Sequence, residues 1–316
     1  VHPTGTVTVY TGTASSGQGH ETTFAQIASE ELGVPYDDID ISHGDTEKQP
    51  FGTGTFGSRS VSVGGQALLM SLVKVKEKAT KIAAHQMGVE PDQVTFKDGT
   101  FTVEDIPESQ MTFAEVAGQA YSAVNLPPDT EPGLEAVSFF DPENFTWPFG
   151  CHICVVEVSP DTGETRVLRY VAVDDIGNVI NPMIVDGMLH GGIAQGIGQA
   201  MQERAVYSDD GQLLSGSMLD YAIPTAEDLP MFETDRTVTP SPSNDLGVKG
   251  AGEAGTIAAT PAIVNAAVDA LKHLGVRHID MPLHSEKMWR IIRDAREKQR
   301  AERSTRAKQR ETGGKS

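Results

Sequence analysis

The chain has 316 residues, of which 38% are apolar and 22% charged, and its formal net charge is -19. This length allows one large core or two domains, and the composition is typical of a folded globular protein. No run of about 18 consecutive apolar residues is present, so we expect no membrane-spanning helix. The negative charge argues against nucleic acid as a ligand, because the protein would repel its phosphates.

The first elements predicted from the sequence are a strand, a glycine-rich turn and a helix. The residues from Val1 to Tyr10 have the pattern of a strand that is already in progress. The segment has neither an initiating Met nor the pattern of a leader peptide, so we expect the chain to be part of a longer or processed protein. A Gly/Ser turn at 12–19 precedes helical spacing over 22–32. The next strand, 39–43, enters a polar, glycine-rich segment at 44–65. Its length is unusual for a simple connector, so we expect it to bind a ligand.

The middle of the chain predicts a long helix and a small hairpin. The helix covers about 66–85, and Lys97-Asp98-Gly99 marks the hairpin turn. A short helix at 112–120 leads to the proline-rich link 125–132. We take this link as the boundary that ends a first part at 1–133.

A second part is predicted at 134–285, and a basic C-terminal helix and tail at 286–316. The second part begins with strands at 150–158 and 164–174, joined by a Ser-Pro-Asp-Thr-Gly turn. Two helices follow, each preceded by a capping residue and a proline: one begins at Asn181-Pro182, and the other covers 262–274 after Thr260-Pro261. The five glycines of the former indicate close backbone approach to another helix or to a ligand. The predicted class is α+β, with mixed sheets and packed helices.

Charge is divided unevenly between the body and the tail. Residues 286–316 contain 11 Lys and Arg against 5 Asp and Glu, which leaves a net charge of -25 on residues 1–285. The tail is expected to begin as a helix near Arg290 and to fray after Gly313. Either a solvated extension or contact with an acidic partner surface explains its composition.

The two cysteines, Cys151 and Cys154, are the only thiols of the chain. A spacing of three places them on opposite faces of the predicted strand. A zinc site needs two further ligands that the neighbouring sequence does not supply, so we expect two buried or half-buried thiols. So few cysteines favour a reducing cytoplasm.

Three glycine-rich loops, at 12–20, 52–65 and 247–259, share a composition of glycines and small hydroxyl residues and lead into helices. Such loops expose backbone N–H groups at a positive helix end, which binds phosphate or another anion. Each loop by itself is also compatible with an ordinary turn. Neither the dinucleotide glycine fingerprint nor a P-loop is present, which disfavours a flavin or nicotinamide dehydrogenase and an NTPase.

Glu253 stands among small residues in Gly-Ala-Gly-Glu-Ala-Gly, with Lys249 as its only charged neighbour nearby in the sequence. If the fold buries this loop, loss of solvent would raise the pKa of Glu253 toward neutrality and make it a general base. Composition alone also fits a surface glutamate in a flexible turn. The sequence around the loop does not decide between the two.

Four motifs together resemble the C-terminal portion of the molybdenum-binding large subunit of the xanthine dehydrogenase and aldehyde oxidase family, in its carbon-monoxide-dehydrogenase-like branch. They follow the family's order, and the resemblance covers the chain to about Arg293. The motifs are Gly17-Gln-Gly-His-Glu-Thr22, Gly44-Asp-Thr46 followed by Gly54-Thr-Phe-Gly-Ser-Arg-Ser60, His190-Gly-Gly-Ile-Ala-Gln-Gly-Ile-Gly-Gln199, and Gly247-Val-Lys-Gly-Ala-Gly-Glu253.

This resemblance implies a molybdenum hydroxylase that holds its metal through the dithiolene of molybdopterin cytosine dinucleotide, with no direct protein ligand to the metal. Glu253 would be the catalytic base, with Lys249 beside it. The expected contacts to the cofactor come from the glycine-rich loops and the cofactor-facing helix: Gln18, Gly19, His20, Thr55, Ser58, Arg59, Ser60, Gln195, Gln199 and Gly252. The expected reaction is hydroxylation of a small-molecule substrate with water as the oxygen source.

The resemblance also implies partners. The family's substrate loop belongs to the N-terminal half of the large subunit, so that half is an expected partner. An iron–sulfur subunit with 2Fe-2S clusters and a flavin subunit with FAD are expected as well, as a dimer of heterotrimers.

One departure from the family bears on the substrate. Carbon monoxide dehydrogenases of this family carry Ser-Pro-His after the catalytic glutamate, whereas this chain has Ala254-Gly255-Thr256. An aldehyde or an N-heterocycle is therefore the expected substrate, with aerobic carbon monoxide dehydrogenase as the alternative. A non-catalytic module that binds or assembles the cofactor is the alternative from another class.

Overall fold

The computed structural model describes residues 1–49, 51–104 and 106–313, and the chain forms two compact units. Pro50, Asp105 and the end of the tail at 314–316 lie outside the described residues. The first unit consists of Val1–Trp147, Ile176–Val185 and Val238–Gly250, and the second of Pro148–Asp175, Asp186–Thr237 and the chain from Ala251 onward. These units differ from the predicted parts 1–133, 134–285 and 286–316, because the chain returns to the first unit twice after leaving it.

The first unit begins with two parallel strands connected through a helix. Strand β1 (Val7–Thr11) pairs with β2 (Ile39–His43), and α1 (His20–Leu32) lies between them in the sequence. A π-helical turn, Ser60–Gly65, leads directly into α2 (Gln66–Met87). Strand β2 and both helices agree with the predicted ones to within about two residues, whereas the first strand begins at Val7 and not at the predicted Val1.

An antiparallel sheet completes the first unit. It contains β3 (Val94–Lys97), β4 (Thr100–Val103) and β5 (Ile106–Thr112), in that order. The predicted hairpin turn is confirmed: Asp98 and Gly99 adopt φ of 48° and 74°, as a tight hairpin turn requires. Helix α3 (Phe113–Ser122) follows, and the Thr112 hydroxyl caps it by accepting a hydrogen bond from Glu115 N at 3.2 Å. The core of this unit includes Phe24, Leu32, Ile82, Phe101 and Val116.

The second unit is built on a three-stranded sheet. Strand β6 (Phe149–Val158) pairs antiparallel with β7 (Thr165–Asp175), as the predicted hairpin requires, and β7 pairs parallel with β8 (Phe232–Thr237). Alternate residues of β6 lie inward and outward. Cys154 is half-buried on the inner face, where burial raises the pKa of its thiol to about 11. Cys151 is exposed, so the prediction of two buried or half-buried thiols was wrong for it: it lies on the outer face of an edge strand.

Helix α4 (Pro182–Met201) begins at the predicted Asn181-Pro182, where the Asn181 side chain accepts a hydrogen bond from Ile184 N at 3.0 Å. Helix α5 (Ala254–Leu271) begins eight residues before the predicted start, and Pro261 lies inside it. Thr260-Pro261 therefore does not mark a helix start. The earlier turns form because Gly255 and Ala259 pack closely against α4.

The core of the second unit includes Tyr170, Ile193, Ile263 and, from α6 (Ser285–Gly313), Met288 and Ile292. By length and composition, one helix of the described residues, Ala254–Leu274, is apolar enough to cross a bilayer, although only 28% of it is buried. Four of its residues, Ala259, Ile263, Ala267 and Leu271, belong to this core. The predicted α+β class, with mixed sheets and packed helices, is confirmed.

Candidate functional site

The start of α1 carries the first group of predicted site residues. Gly19 adopts a left-handed conformation, with φ of 70°, and its carbonyl accepts the first intrahelical hydrogen bond from Thr23 N at 3.0 Å. The Gln18 side chain accepts a hydrogen bond from Ser16 N. The loop thereby ends at a helix N-terminus, whose backbone N–H groups favour a negative charge.

Loop 12–20 and loop 52–65 are joined by direct contacts. The Thr55 hydroxyl donates to Ala14 O at 2.6 Å and lies 2.9 Å from the hydroxyl of Ser60. Gly54 N donates to Gly12 O at 3.1 Å. A Cβ at Gly12 would lie 2.8 Å from the Cα of Gly52, so both loops need glycine at their contact. The structure thus brings together two loops that are about 40 residues apart in the sequence.

Ser58, Arg59 and Ser60 form the end of the second loop. Ser58 has a positive φ of 52°, which is uncommon for a residue other than glycine and is often found at ligand sites. The Arg59 guanidinium lies 5.3 Å from the centre of the Phe56 ring, a cation–π distance. Ser60 is buried and begins the π-helical turn, a form that is frequent at functional sites.

Lys249 lies on the first part of the third loop and is only 8% exposed. Its backbone N–H donates to Ile176 O at 2.7 Å, and the Asn244 side chain holds the neighbouring Val248 through hydrogen bonds to both backbone groups. A side chain at Gly250 would overlap the carbonyl oxygen of Ser58. The third loop is therefore fixed against the second loop.

His20 has an unusual environment. Its side chain is buried and stacks on Phe24, with ring centres 5.5 Å apart, and burial lowers its pKa. Among the described residues its Nδ1 atom has no hydrogen-bond partner. A buried polar atom without a partner is costly, and a ligand polar group is one way to satisfy it.

The sequence did not predict a role for Glu21 or His43. His43, at the end of β2, places Nε2 2.6 Å from a carboxylate oxygen of Glu21, and its Nδ1 accepts a hydrogen bond from Ser15 N at 3.4 Å. The hydrogen bond from His43 lowers the pKa of Glu21. These contacts order loop 12–20. One observation could have predicted the contact: β2 ends beside the end of β1, which is where loop 12–20 begins.

Glu253 lies in the second unit, at the N-cap position of α5. Its carbonyl accepts a hydrogen bond from Ile257 N at 3.1 Å, so the glutamate belongs to a helix start and not to a flexible turn. Both Glu253 and Gly252 are exposed. The burial on which the prediction of Glu253 as a general base was conditional is therefore not found in this structure.

Gln195 and Gln199 are exposed one turn apart on α4, on the same side of the helix. The Gln199 side chain accepts a hydrogen bond from the Thr260 hydroxyl of α5 at 3.1 Å. Among the described residues, no three His, Cys, Asp or Glu side chains are placed to hold a metal ion.

The predicted residues thus form two sets. Those of the first unit are Gln18, Gly19, His20, Thr55, Ser58, Arg59, Ser60 and Lys249, and those of the second are Gln195, Gln199, Gly252 and Glu253. The first set lies on three loops that touch one another. We call the contacting glycine-rich backbone of these loops the glycine cradle. Together with the N-terminus of α1 and the unpaired buried imidazole nitrogen of His20, it fits an anionic ligand with several polar groups.

Comparison with known proteins gives one family and several relatives. Residues 1–230 match the family model of the molybdopterin cofactor-binding domain. The carbon monoxide dehydrogenase large chain of Hydrogenophaga pseudoflava is 44% identical over 93% of this chain and 36% of its own length. This chain therefore spans about a third of the length of such a relative.

Two solved structures are also similar. A Cu,Mo-CO dehydrogenase has a TM-score of 0.88 and 42% identity over 93% of this chain and 37% of its own. Quinoline 2-oxidoreductase from Pseudomonas putida 86 has a TM-score of 0.86 and 41% identity over the same shares. Both likenesses extend over nearly the whole fold described above.

Proposed function

We propose, from the premise that the chain belongs to the molybdopterin cofactor-binding domain family, that it is the C-terminal part of a molybdenum hydroxylase large subunit. The proposed whole enzyme oxidatively hydroxylates a small molecule with water as the source of oxygen. The observation that carries the proposal is the joined set of loops 12–20, 52–65 and 247–250, which presents a glycine cradle beside the N-terminus of α1.

The residues of this cradle would hold the cofactor, which we propose to be molybdopterin cytosine dinucleotide. Backbone N–H groups at the start of α1 suit its pyrophosphate, because a helix N-terminus favours an anion. His20 has an unsatisfied Nδ1 that a polar group of the ligand would satisfy. Ser58, Arg59 and Ser60 add hydroxyls and a positive charge at the other loop. Gln195 and Gln199, which belong to the second unit, stay proposed cofactor contacts on the resemblance alone.

When bound, the cofactor supplies a molybdenum centre that takes up two electrons from the substrate. The proposed task of Glu253 is to accept a proton at a carboxylate oxygen. Its position at the start of α5 fixes the backbone from which the carboxylate projects. Lys249, four residues earlier in the sequence, is proposed to belong to the same catalytic motif on the resemblance alone.

We propose an aldehyde or an N-heterocycle as the substrate. The likeness to a carbon monoxide dehydrogenase and to quinoline 2-oxidoreductase is nearly equal, at 42% and 41% identity, so the proposal depends on the residues after Glu253. In this chain they are Ala254-Gly255-Thr256, and a Cβ at Gly255 would lie 2.5 Å from Leu189 O. Proline at 255 would therefore disturb the contact with α4, so the Ser-Pro-His sequence does not fit here.

The remaining two thirds of such a large subunit is a proposed partner. Phe149, Ile153 and Val155 expose an apolar outer face on the edge strand β6, and Leu168 of β7 is also exposed. Exposed apolar surface of this kind is typical of a face that another polypeptide covers. We also propose an iron–sulfur subunit with 2Fe-2S clusters, a flavin subunit with FAD, a dimer of such heterotrimers, and a cytoplasmic location.

The test is Glu253→Gln in the assembled enzyme, with Glu227→Gln, an exposed glutamate of the same unit, as the control. We expect turnover to fall by about two to four orders of magnitude, the usual contribution of a general base, while molybdenum and pterin content stay unchanged. The control variant should keep full turnover. Unchanged turnover in Glu253→Gln would instead support the non-catalytic cofactor-binding module.

A further inference from the structure

His43 ends strand β2 at the place where loop 12–20 begins. In the parallel register of the two strands it lies beside Thr11, the last residue of β1 before the loop. Its side chain is 20% exposed and contacts Ser15 in the loop and Glu21 in the first turn of α1. One imidazole therefore contacts both the middle of the loop and the helix that follows it, although His43 belongs to none of the motifs that carry the family resemblance.

Both ring nitrogens of His43 have a partner, and the partners decide which nitrogen carries the hydrogen. A backbone N–H only donates, so Nδ1, which lies 3.4 Å from Ser15 N, is the acceptor. An ionised carboxylate only accepts, so Nε2, which lies 2.6 Å from the Glu21 oxygen, carries the hydrogen. His43 is therefore a neutral imidazole in its Nε2–H form, because the hydrogen bond at one ring nitrogen sets the state of the other.

Glu21 keeps the imidazole in this form. The hydrogen bond from His43 is the largest cause that lowers the pKa of Glu21, followed by the bond from its own backbone N–H, and the Ser15 side chain adds a smaller one. The carboxylate is therefore ionised at neutral pH and remains an acceptor. Ser15, Glu21 and His43 form a closed group of contacts between the loop, the start of α1 and the end of β2.

The other fixed points of the loop use different groups. The carbonyl oxygens of Gly12 and Ala14 accept hydrogen bonds from loop 52–65, at 3.1 and 2.6 Å. His43 instead supplies an acceptor, from a third segment, for the N–H of Ser15. A side chain that holds one N–H group in place also fixes the path of the neighbouring backbone, as the supporting residues of a binding site do.

We infer that His43 is a positioning residue of the first cofactor loop: by accepting a hydrogen bond from Ser15 N–H, it holds loop 12–20 in the form that presents Gly19 and His20 to the ligand. This role rests on the proposed function, because it concerns a loop that we propose to hold the cofactor. It adds to the site a residue that does not itself contact the cofactor.

Two substitutions of His43 separate this role from the filling of space. In His43→Asn the side-chain oxygen is on the same branch as Nδ1, so it still accepts from Ser15 N–H, and it needs no partner to fix its state. In His43→Gln the amide has about the reach of Nε2, so it keeps a donor for Glu21 and loses the acceptor for Ser15. Glutamine is the closer match in size. Filling of space therefore favours His43→Gln, whereas positioning through the acceptor favours His43→Asn.

The test measures hydrogen exchange of segment 12–20 in the intact chain and retention of molybdenum and pterin in the assembled enzyme during dialysis. His2→Gln is the matched control, because His2 is an exposed histidine of the same unit and its Nε2 lies 2.8 Å from the Thr8 hydroxyl. Unchanged protection of strands β3 and β4 shows that each variant remains folded. Exchange reports on the loop without the cofactor, and retention reports on its proposed task.

We expect exchange within 12–20 to become about fivefold faster in His43→Gln, as the loss of one hydrogen bond predicts, and to stay near that of the unmodified chain in His43→Asn and His2→Gln. The assembled His43→Gln enzyme should also lose molybdenum and pterin severalfold faster than the other two variants.

Equal exchange in the two variants of His43 would overturn the inference, and so would faster exchange in His43→Gln with unchanged retention of the cofactor. Absence of molybdenum and pterin from the unmodified enzyme would overturn the proposed function, and with it the role of His43. That outcome is recognised in the unmodified enzyme alone, so it is distinct from a failure of the variants.

Discussion

The backbone of Gly250 lies directly against the carbonyl group of Ser58, so closely that a Cβ at position 250 would overlap the Ser58 oxygen. This contact connects the Lys249 loop to the loop of Ser58 and Arg59. The backbone at 250 does not adopt a positive φ, so space alone requires glycine there. The spacing of these two loops, both of which we propose to hold the cofactor, thus depends on the absence of a side chain at position 250.

We expect Gly250→Ala to displace the Ser58 loop and to lower the molybdenum and pterin content of the purified enzyme severalfold. Forcing a methyl group into packed backbone costs about 1–3 kcal/mol, and the loop that carries Ser58 is the part able to move. Gly216→Ala is the control, because a Cβ there would meet its nearest atoms at 3.7 Å, an ordinary contact distance. If Gly250→Ala retains the cofactor as well as Gly216→Ala does, the contact does not shape the cradle.

The glycines of α4 should divide into two groups by their effect on stability. A Cβ at Gly196 would lie 2.5 Å from the Cβ of Ala259, whereas a Cβ at Gly191 would meet nothing within 4 Å. We expect Gly196→Ala to lower the free energy of unfolding by about 1–3 kcal/mol through overpacking. Gly191→Ala should raise it by about 0.5–1 kcal/mol, because alanine is the better helix former. Urea denaturation measures both. Equal effects would show that α4 and α5 do not approach each other closely.

These glycines illustrate what the sequence predicts and what it does not. The local pattern predicted most strands and helices but not β8. The glycines of α4 correctly indicated close helix packing, since Gly192 and Gly196 contact α5. It failed at the start of α5, where Thr260-Pro261 has the local features of a helix start but tertiary contacts extend the helix back to Ala254. Sequence patterns within a short window do not reveal contacts with distant parts of the chain, and such contacts can override local helix preference.

The sequence likewise predicted the members of the candidate site but not their arrangement. Composition identified the glycine-rich loops, and the resemblance supplied their residues. The bond from Thr55 to Ala14 joins residues 41 positions apart, and the pairing of His43 with Glu21 depends on where β2 ends. Neither follows from spacing along the chain. The discontinuous units also escaped prediction, because each unit is assembled from segments far apart in the sequence.

The buried imidazole of His20 should make the stability of the first unit depend on pH. Burial lowers the pKa of His20 below its ordinary value of 6.5, so the folded state favours the neutral ring. As the pH falls below 6.5, the unfolded chain binds a proton that the folded chain does not bind. The free energy of unfolding should therefore decrease with falling pH, until the lowered pKa is reached.

Urea titrations between about pH 7.5 and 5 measure this slope, above the range in which carboxylates such as Glu21 titrate. We expect His20→Gln to flatten the pH dependence, and His278→Gln, a change to an exposed histidine, to leave it as it was. His284 has a pKa lowered in the same direction, so some dependence should remain in the second unit. A slope that is unchanged in His20→Gln would contradict the assignment.

The second unit contains a buried histidine–aspartate pair that should contribute more to stability than its exposed ion pairs. His152 Nε2 lies 3.1 Å from a carboxylate oxygen of Asp174, with the side chains 1% and 4% exposed, and His152 Nδ1 lies 2.9 Å from the Tyr170 hydroxyl. Burial raises the pKa of Tyr170 well above its ordinary value, so the phenol stays protonated. Its hydroxyl hydrogen therefore remains available for the hydrogen bond with His152.

Asp174→Ala should lower the free energy of unfolding by about 3–5 kcal/mol, because it leaves the buried imidazole without its partner. Asp174→Asn keeps the shape and a hydrogen-bonding group, so we expect a loss of only about 1–3 kcal/mol. The control is Asp269→Ala: this carboxylate pairs with Lys272 at the surface, where such a pair contributes at most about 1 kcal/mol. Urea denaturation of the three variants ranks them. A loss in Asp174→Ala no larger than that in Asp269→Ala would mean that solvent reaches the His152 ring and that the pair is not buried in solution.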